Sequence, residues 1–261
     1  MAPLLTLLVI ALFFGGFAAG LIDSIAGGGG LIVIPSLLLA GLSPIQVLAT
    51  NKLQSLFGSG SATVTYASRG LIDFRRHLPA ALLALIGAVA GALVASSIPG
   101  DWFKTALPFM LIAIALYFAL KPNMDDVDRT QRMSPIVFAL LPALAIGFYD
   151  GIFGPGAGSF YMLAYVALAG FGMLKATAHT KLLNFASNVG AFAVFAFGGA
   201  VLWKLGIVMG IAQFLGARLG ATLAMRVGAR LIKPLLVVIC VALAIRLLID
   251  PSNPVHIWLV T

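Results

Sequence analysis

Ala49-Thr50-Asn51-Lys52-Leu53-Gln54-Ser55-Leu56-Phe57-Gly58-Ser59 sets one lysine inside an otherwise apolar segment running from Ser43 to Ser68. A second copy follows as Ala178-His179-Thr180-Lys181-Leu182-Leu183-Asn184-Phe185-Ala186-Ser187-Asn188. Adding 129 to Ala49, Lys52, Ser55 and Ser59 gives Ala178, Lys181, Asn184 and Asn188, so each copy carries a lysine and two polar residues at i, i+3 and i+7. On a helix these share one face. Counted at ~1.5 Å per residue from helix starts near Ser43 and Met173, both lysines lie roughly 12 to 14 Å deep, about the middle of a ~30 Å hydrocarbon layer.

Composition sets the class. The chain is 61% hydrophobic and 9% charged, with a mean hydropathy of +1.10. Runs such as Leu78 to Pro99 and Leu182 to Trp203 carry no charge and exceed the ~18 residues that mark a transmembrane helix. The reading is an all-α polytopic membrane protein without a soluble domain between its spans. The segment from Leu4 to Ile22 has no positive n-region and no clear cleavage site, so it is expected to be a retained span. The single cysteine, Cys240, rules out an internal disulfide, and no Cys/His cluster suggests a metal site. A net charge of +8 would suit nucleic acid, but the basic residues sit in short loops, which is an orientation signal. No nucleic-acid partner, metal or cofactor is expected.

Apolar segments fall at about 4–22, 30–41, 44–68, 77–98, 103–120, 134–150, 158–170, 173–197, 203–226 and 231–249. That makes about eight full spans and two short segments, 30–41 and 158–170, each following a glycine-rich break: Gly27-Gly28-Gly29-Gly30 and Gly154-Pro155-Gly156-Ala157-Gly158. Whether the short segments cross or re-enter is open. Short, glycine-interrupted segments in matching positions of two halves point to discontinuous helices around a binding site. The offset of 129 also relates Gly87 and Gly91 to Gly216 and Gly220, and Lys104 to Lys233, while an offset of 127 relates Asp23, Gly27 and Gly29 to Asp150, Gly154 and Gly156. Residues 1–120 and 134–250 are therefore expected to form two membrane repeats, joined by a linker over 121–133 and followed by a tail over 251–261. Arg69, Arg75 and Arg76 follow the first lysine helix where the second copy has only Lys204, and the next loop reverses the bias, with Lys104 against Arg226, Arg230 and Lys233. Positive loops face the cytoplasm, so the repeats are expected to be inverted, with the linker inside as a solvated connection and both termini periplasmic.

Every acidic residue is an aspartate, and only Asp23 and Asp150 fall within apolar stretches. An aspartate and a lysine within each copy would hold two charges at a depth where either alone costs several kcal/mol. Two roles stand open: fixed ion pairs that hold broken helices together, or pairs that open for substrate or a proton. Counting from Pro3 puts Asp23 roughly 30 Å along its helix, nearer the far interface than the midplane. Glycine breaks followed by helix N-termini offer free N–H groups, and with two lysines and the titratable His179 they favour an anion. The residues expected to meet it are Lys52, Lys181, Asn51, Thr50, Ser55, His179, Asn184, Asn188, Gly28, Gly29, Gly156 and Gly158, with Asp23 and Asp150 as counter-ions or proton carriers. Arg218, whose repeat partner is Val89, is a candidate gating residue. The glycines at 87, 91, 216 and 220 are expected only to let helices cross closely, and Lys175 to extend to the interface.

Asp23-Ser24-Ile25-Ala26-Gly27-Gly28-Gly29-Gly30 with Pro35, Ala49-Thr50-Asn51-Lys52-Leu53, Gly147-Phe148-Tyr149-Asp150-Gly151-Ile152-Phe153-Gly154-Pro155-Gly156 and Ala176-Thr177-Ala178-His179-Thr180-Lys181-Leu182-Leu183-Asn184 resemble the TauE/SafE family of bacterial membrane permeases. The likeness covers nearly the whole chain and is closest to the YfcA-type members. It implies a multi-pass secondary transporter of the inner membrane, with family substrates that include sulfite, sulfonates and other small organic anions. Many relatives have Gly-Thr-Ser or a similar sequence where this chain has Ala49-Thr50-Asn51-Lys52. The combined expectation is alternating access for a small anion, coupled to protons, with the lipid bilayer as surroundings and a homo-oligomer left open. The rivals are a membrane-embedded hydrolase built on Ser24 or Ser159 with His179, and an anion channel.

Overall fold

The structure, a computed structural model, describes residues 2–97 and 125–228, with scattered helical positions within 109–120 and 234–249. Most of the expected spans at 103–120 and 231–249 therefore lies outside the described residues, as do Lys104, Lys233, Cys240 and the tail over 251–261. Among the described residues the architecture is all-α, with eight helices and no strand. They are α1 (Ala2–Ala26), α2 (Gly29–Leu39), α3 (Pro44–Ala67), α4 (Phe74–Ala95), α5 (Pro135–Ile152), α6 (Ala157–Ala169), α7 (Met173–Phe197) and α8 (Trp203–Val227).

Local chemistry marks several starts. Ser43 N–H donates to Gln46 Oε1 at 3.3 Å with Pro44 in the first turn, and Asp73 Oδ1 accepts from Arg76 N–H at 3.1 Å. Pro142, which has no N–H to give, lies within a π-helical stretch over Ala139–Ala143. By length and apolarity α4, α5, α7 and α8 can each cross a membrane, with shorter apolar helices over Ile10–Ala26, Gly29–Leu38 and Ala157–Ala169. Although α3 is 24 residues long, it is less apolar, because it buries Thr50, Asn51, Lys52, Gln54, Ser55 and Ser59.

Packing is reciprocal between the two halves. Helix α1 runs along α8 and α5 along α4, while α3 meets α8, α7 meets α4, and α3 and α7 meet each other. Asp73, just beyond α3, donates its N–H to His179 Nε2 near the start of α7 at 3.2 Å; Leu202, just beyond α7, donates to Thr50 Oγ1 near the start of α3 at 3.2 Å. The two lysine helices thus lie antiparallel. A Cβ on Gly87 or Gly91 would stand 2.3 or 2.1 Å from a carbonyl oxygen of α5, and one on Gly216 or Gly220 would stand 2.0 or 2.3 Å from a carbonyl oxygen of α1. These glycines bring backbones into contact, as their spacing suggests. Two apolar clusters lie toward opposite ends of α3 and α7, one containing Tyr66, Tyr161 and Tyr165, the other Leu37, Val47 and Phe195.

The linker is more than a solvated connection. Its side chains are mostly exposed, but Asp125 O accepts from Met173 N–H at 2.9 Å, Asp126 Oδ1 from Leu174 N–H at 2.9 Å and Asp128 Oδ1 from Gly172 N–H at 2.8 Å. Three aspartates thus satisfy the free N–H groups at the start of α7, where negative charge also suits the helix dipole. Lys175 does not simply extend outward: its Nζ pairs with Asp128 Oδ2 at 2.6 Å and lies 4.4 Å from the centre of the Phe171 ring. Partial burial works to raise the Asp128 carboxyl, but the hydrogen bonds from Gly172 and Lys175 outweigh it and hold the group below its ordinary value.

Candidate functional site: two crossed lysine–aspartate pairs

Asp23 lies in the last turn of α1 and Asp150 in the last turn of α5. Beyond each, the chain turns through left-handed glycines, Gly27 at φ +79° and Gly154 and Gly156 at +86° and +79°. The two breaks touch. A Cβ on Gly27 would lie 2.4 Å from the Gly158 carbonyl carbon, and Ser159 Oγ donates to Ala26 O at 3.0 Å. Only glycine allows both the left-handed backbone and this approach.

With the breaks in contact, each aspartate meets the lysine of the opposite half. Lys52 Nζ on α3 donates to Asp150 Oδ1 at 2.6 Å, and Lys181 Nζ on α7 pairs with Asp23 Oδ2 at 3.1 Å and also donates to the Asp23 backbone carbonyl. Pairing within each copy was the expectation; the halves interlock, so the pairs cross between them. Asp23, which counting sets near an interface, is buried inside the protein beside Lys181. Both lysines are enclosed, at 1% and 0% exposure. Lone charges so buried cost several kcal/mol each, which close pairing and further hydrogen bonds offset.

The remaining carboxylate oxygens are held differently. Asp150 Oδ2 accepts from Ser187 Oγ at 2.5 Å, whereas Asp23 Oδ1 accepts from the Gly29 backbone N–H at 3.2 Å. Between the pairs lies a cavity of about 20 Å3 lined by Asp23, Gly27, Gly30, Asn51, Ser55, Asp150, Gly154, Gly156, Gly158, Asn184 and Asn188. That is room for a water molecule. Its lining is a set of amide and hydroxyl groups, two carboxylates and bare glycine backbone, with the two ammonium groups paired to those carboxylates.

Most of the expected residues converge here, and four do not. Gly28 precedes α2 without lining the cavity, and Thr50 turns to Leu202. His179 lies in a separate cluster with His77, Tyr165 and Phe171, its ring centre 4.3 Å from that of His77. Its Nε2 accepts from Asp73 N–H, which can only donate, so Nδ1 carries the proton and gives it to Lys175 O at 2.9 Å. Arg218 is exposed on α8, outside the cavity. Ser187 was missed: its repeat counterpart is Gly58, so symmetry hides it, although it stands three residues from Asn184 on the same side of α7. Also missed was Gln213, which is buried and packs its amide over Gly58. Among the described residues no three His, Cys, Asp or Glu side chains converge to hold a metal.

A family model described as Sulfite exporter TauE/SafE matches residues 12–247. The chain belongs to the TauE/SafE family. It is 63% identical over 252 residues to the probable membrane transporter protein ORF9 of a Sinorhizobium species, covering 97% of each chain. It is 46% identical over 244 residues to the probable membrane transporter protein YfcA of Escherichia coli K12, covering 94% of this chain and 91% of that one, and 44% identical over 243 residues to a probable membrane transporter protein of Haemophilus influenzae, covering 93% and 95%. No solved structure is significantly similar to the chain. Membership of TauE/SafE makes this a membrane protein of a transporter family, and the crossed pairs lie within the matched residues.

Proposed function

We propose that the chain is a secondary transporter that carries a small organic or sulfur-containing anion across the bacterial inner membrane by alternating access, coupled to protons. The observation that carries this reading is the crossing of two buried ion pairs between the halves around one small polar cavity. Ion pairs within a half would tie each half to itself, whereas crossed pairs must rearrange whenever the halves move against each other. An arriving anion takes the place of a carboxylate at an ammonium group, so substrate and opening are linked by one exchange of partners. The two halves are inverted repeats in this account, which the antiparallel run of α3 and α7 supports. Arg69, Arg75 and Arg76 set their loop in the cytoplasm with the linker, to which Arg76 reaches through a 3.0 Å hydrogen bond with Gln131, and both termini are periplasmic.

A hydrolase is disfavoured because the Ser24 and Ser159 hydroxyls donate to backbone carbonyls, Leu21 O and Ala26 O, and His179 belongs to another cluster. The test is counterflow in proteoliposomes with labelled sulfite and short alkyl sulfonates. Saturable exchange of a chemically unchanged anion, abolished in Lys52→Ala and Lys181→Ala, supports the carrier. A product of altered chemistry, or flux that rises without saturation, would contradict it.

A further inference from the structure

The two ion pairs differ in the neighbours of their carboxylates. Among the described residues, the hydrogen-bond partners of Asp23 Oδ1 and Oδ2 are obligate donors, the Gly29 backbone N–H and the Lys181 ammonium group. Neither can accept a hydrogen bond from a protonated acid. Lys181 also holds the Asp23 backbone carbonyl, which does not titrate, so this lysine stays tethered whatever the side chain does. Asp150 is different. Its Oδ2 meets a hydroxyl, Ser187 Oγ, which donates or accepts according to its rotation, and Ser187 Oγ already has a second acceptor in Asn184 O at 3.1 Å. The hydrogen bond found for Lys52 Nζ goes to the Asp150 carboxylate, whereas Lys181 Nζ is bonded to both the carboxylate and the backbone carbonyl of Asp23.

We propose that Asp150 is the proton-carrying group of the transport cycle, that Ser187 is the positioning residue that lets it take the proton, and that Asp23, paired with Lys181, keeps its charge throughout. The inference rests on the anion-carrier reading and assigns unequal work to its two pairs. A proton arrives at Asp150 Oδ2; the Ser187 hydroxyl turns its hydrogen to Asn184 O and accepts the new O–H; Lys52 loses its counter-charge and binds the anion. One proton and one negative charge enter together, so the buried site remains neutral. That neutrality is the physical reason for coupling, because an anion entering alone would add a net charge where the medium cannot screen it. The other charged or titratable groups facing Asp150 are Tyr161 from α6 and, across the cavity, Asp23 and Lys181. Helix α4 meets α5 there through Ala84, Gly87, Ala88, Gly91 and Ala92, none of which is charged or titratable.

The test uses purified full-length protein and anions whose own charge is constant with pH, methanesulfonate, ethanesulfonate and sulfate. Binding of the preferred sulfonate to the wild type is expected to tighten about tenfold for each unit fall in pH, the slope of one proton taken up per anion. Infrared difference spectra should show a protonated carboxyl band that appears with the anion. Asp150→Asn should bind with no pH slope and no band, and Asp23→Asn should keep the band if it folds. Ser187→Ala, which retains both charges, should still bind the anion but with the band displaced. Binding without proton uptake, a band lost in Asp23→Asn and kept in Asp150→Asn, or a band unmoved in Ser187→Ala would overturn the assignment alone. No binding of any of these anions to the wild type would sink the carrier reading and this inference with it.

Discussion

A buried ammonium group is stable only with its counter-charge, so the two lysines make a sharp prediction about stability. Lys52→Ala leaves the Asp150 carboxylate enclosed without its cation, and breaking such a pair from one side costs about 3–5 kcal/mol. Thermal unfolding in detergent should show that loss, and Lys52→Ala with Asp150→Asn should regain a large part of it while failing to bind anions. Equal instability of the single and double variants would mean that Lys52 acts through packing. Residue types were the most legible part of the site, because lysine or aspartate in an apolar segment has few physical excuses. What the repeat offset could not say is who meets whom. It relates Asp23 to Asp150 and Lys52 to Lys181 as equivalents, whereas contact follows from how the halves interlock. His179 shows a second limit: two residues from Lys181 is roughly 200° around a helix, so nearness in sequence set it on the other side.

The breaks and the linker are where single elements decide the outcome. Gly27→Ala would force a side chain into a left-handed position and within 2.4 Å of the Gly158 backbone, so it should abolish folded protein in a size-exclusion assay, whereas Gly15→Ala, with open space around it, should be tolerated. Asp128 gives a pH prediction with a definite sign. Its carboxyl is held below its ordinary value by Gly172 and Lys175, so the stability it supplies is present above the unfolded-state value and is lost as pH falls through the folded one. Asp128→Asn should lower the melting temperature slightly at neutral pH and flatten the acid limb of its pH profile. An unchanged profile would show that the linker's docking on α7 has no energetic weight. The glycine breaks were readable, since four adjacent glycines rarely serve packing alone. The linker was not, because its mixed charges match any exposed loop, and only the fold shows three aspartates meeting the free N–H groups of α7.

At the scale of the whole molecule, the eight helices among the described residues form two interlocked sets whose lysine helices run in opposite directions. Single-cysteine variants in a background lacking Cys240 test the membrane sense of this arrangement. A cysteine at Gly70 should react only with reagent admitted to the cytoplasmic side, and one at Gly199 only from the periplasmic side; labelling of both from one face would exclude inverted repeats. Apolar runs marked α4, α5, α7 and α8, which are long and apolar enough to cross a membrane, and they marked α3 as well despite the polar side chains it buries. The cavity holds little more than a water, so in the proposed cycle binding parts a crossed pair. The most direct measurement is therefore the shift in melting temperature of the purified protein across a panel of small sulfur and organic oxyanions. The account predicts that at least one anion stabilises the wild type and loses its effect in both Lys52→Ala and Lys181→Ala; an anion that stabilises both variants as much as the wild type would contradict it.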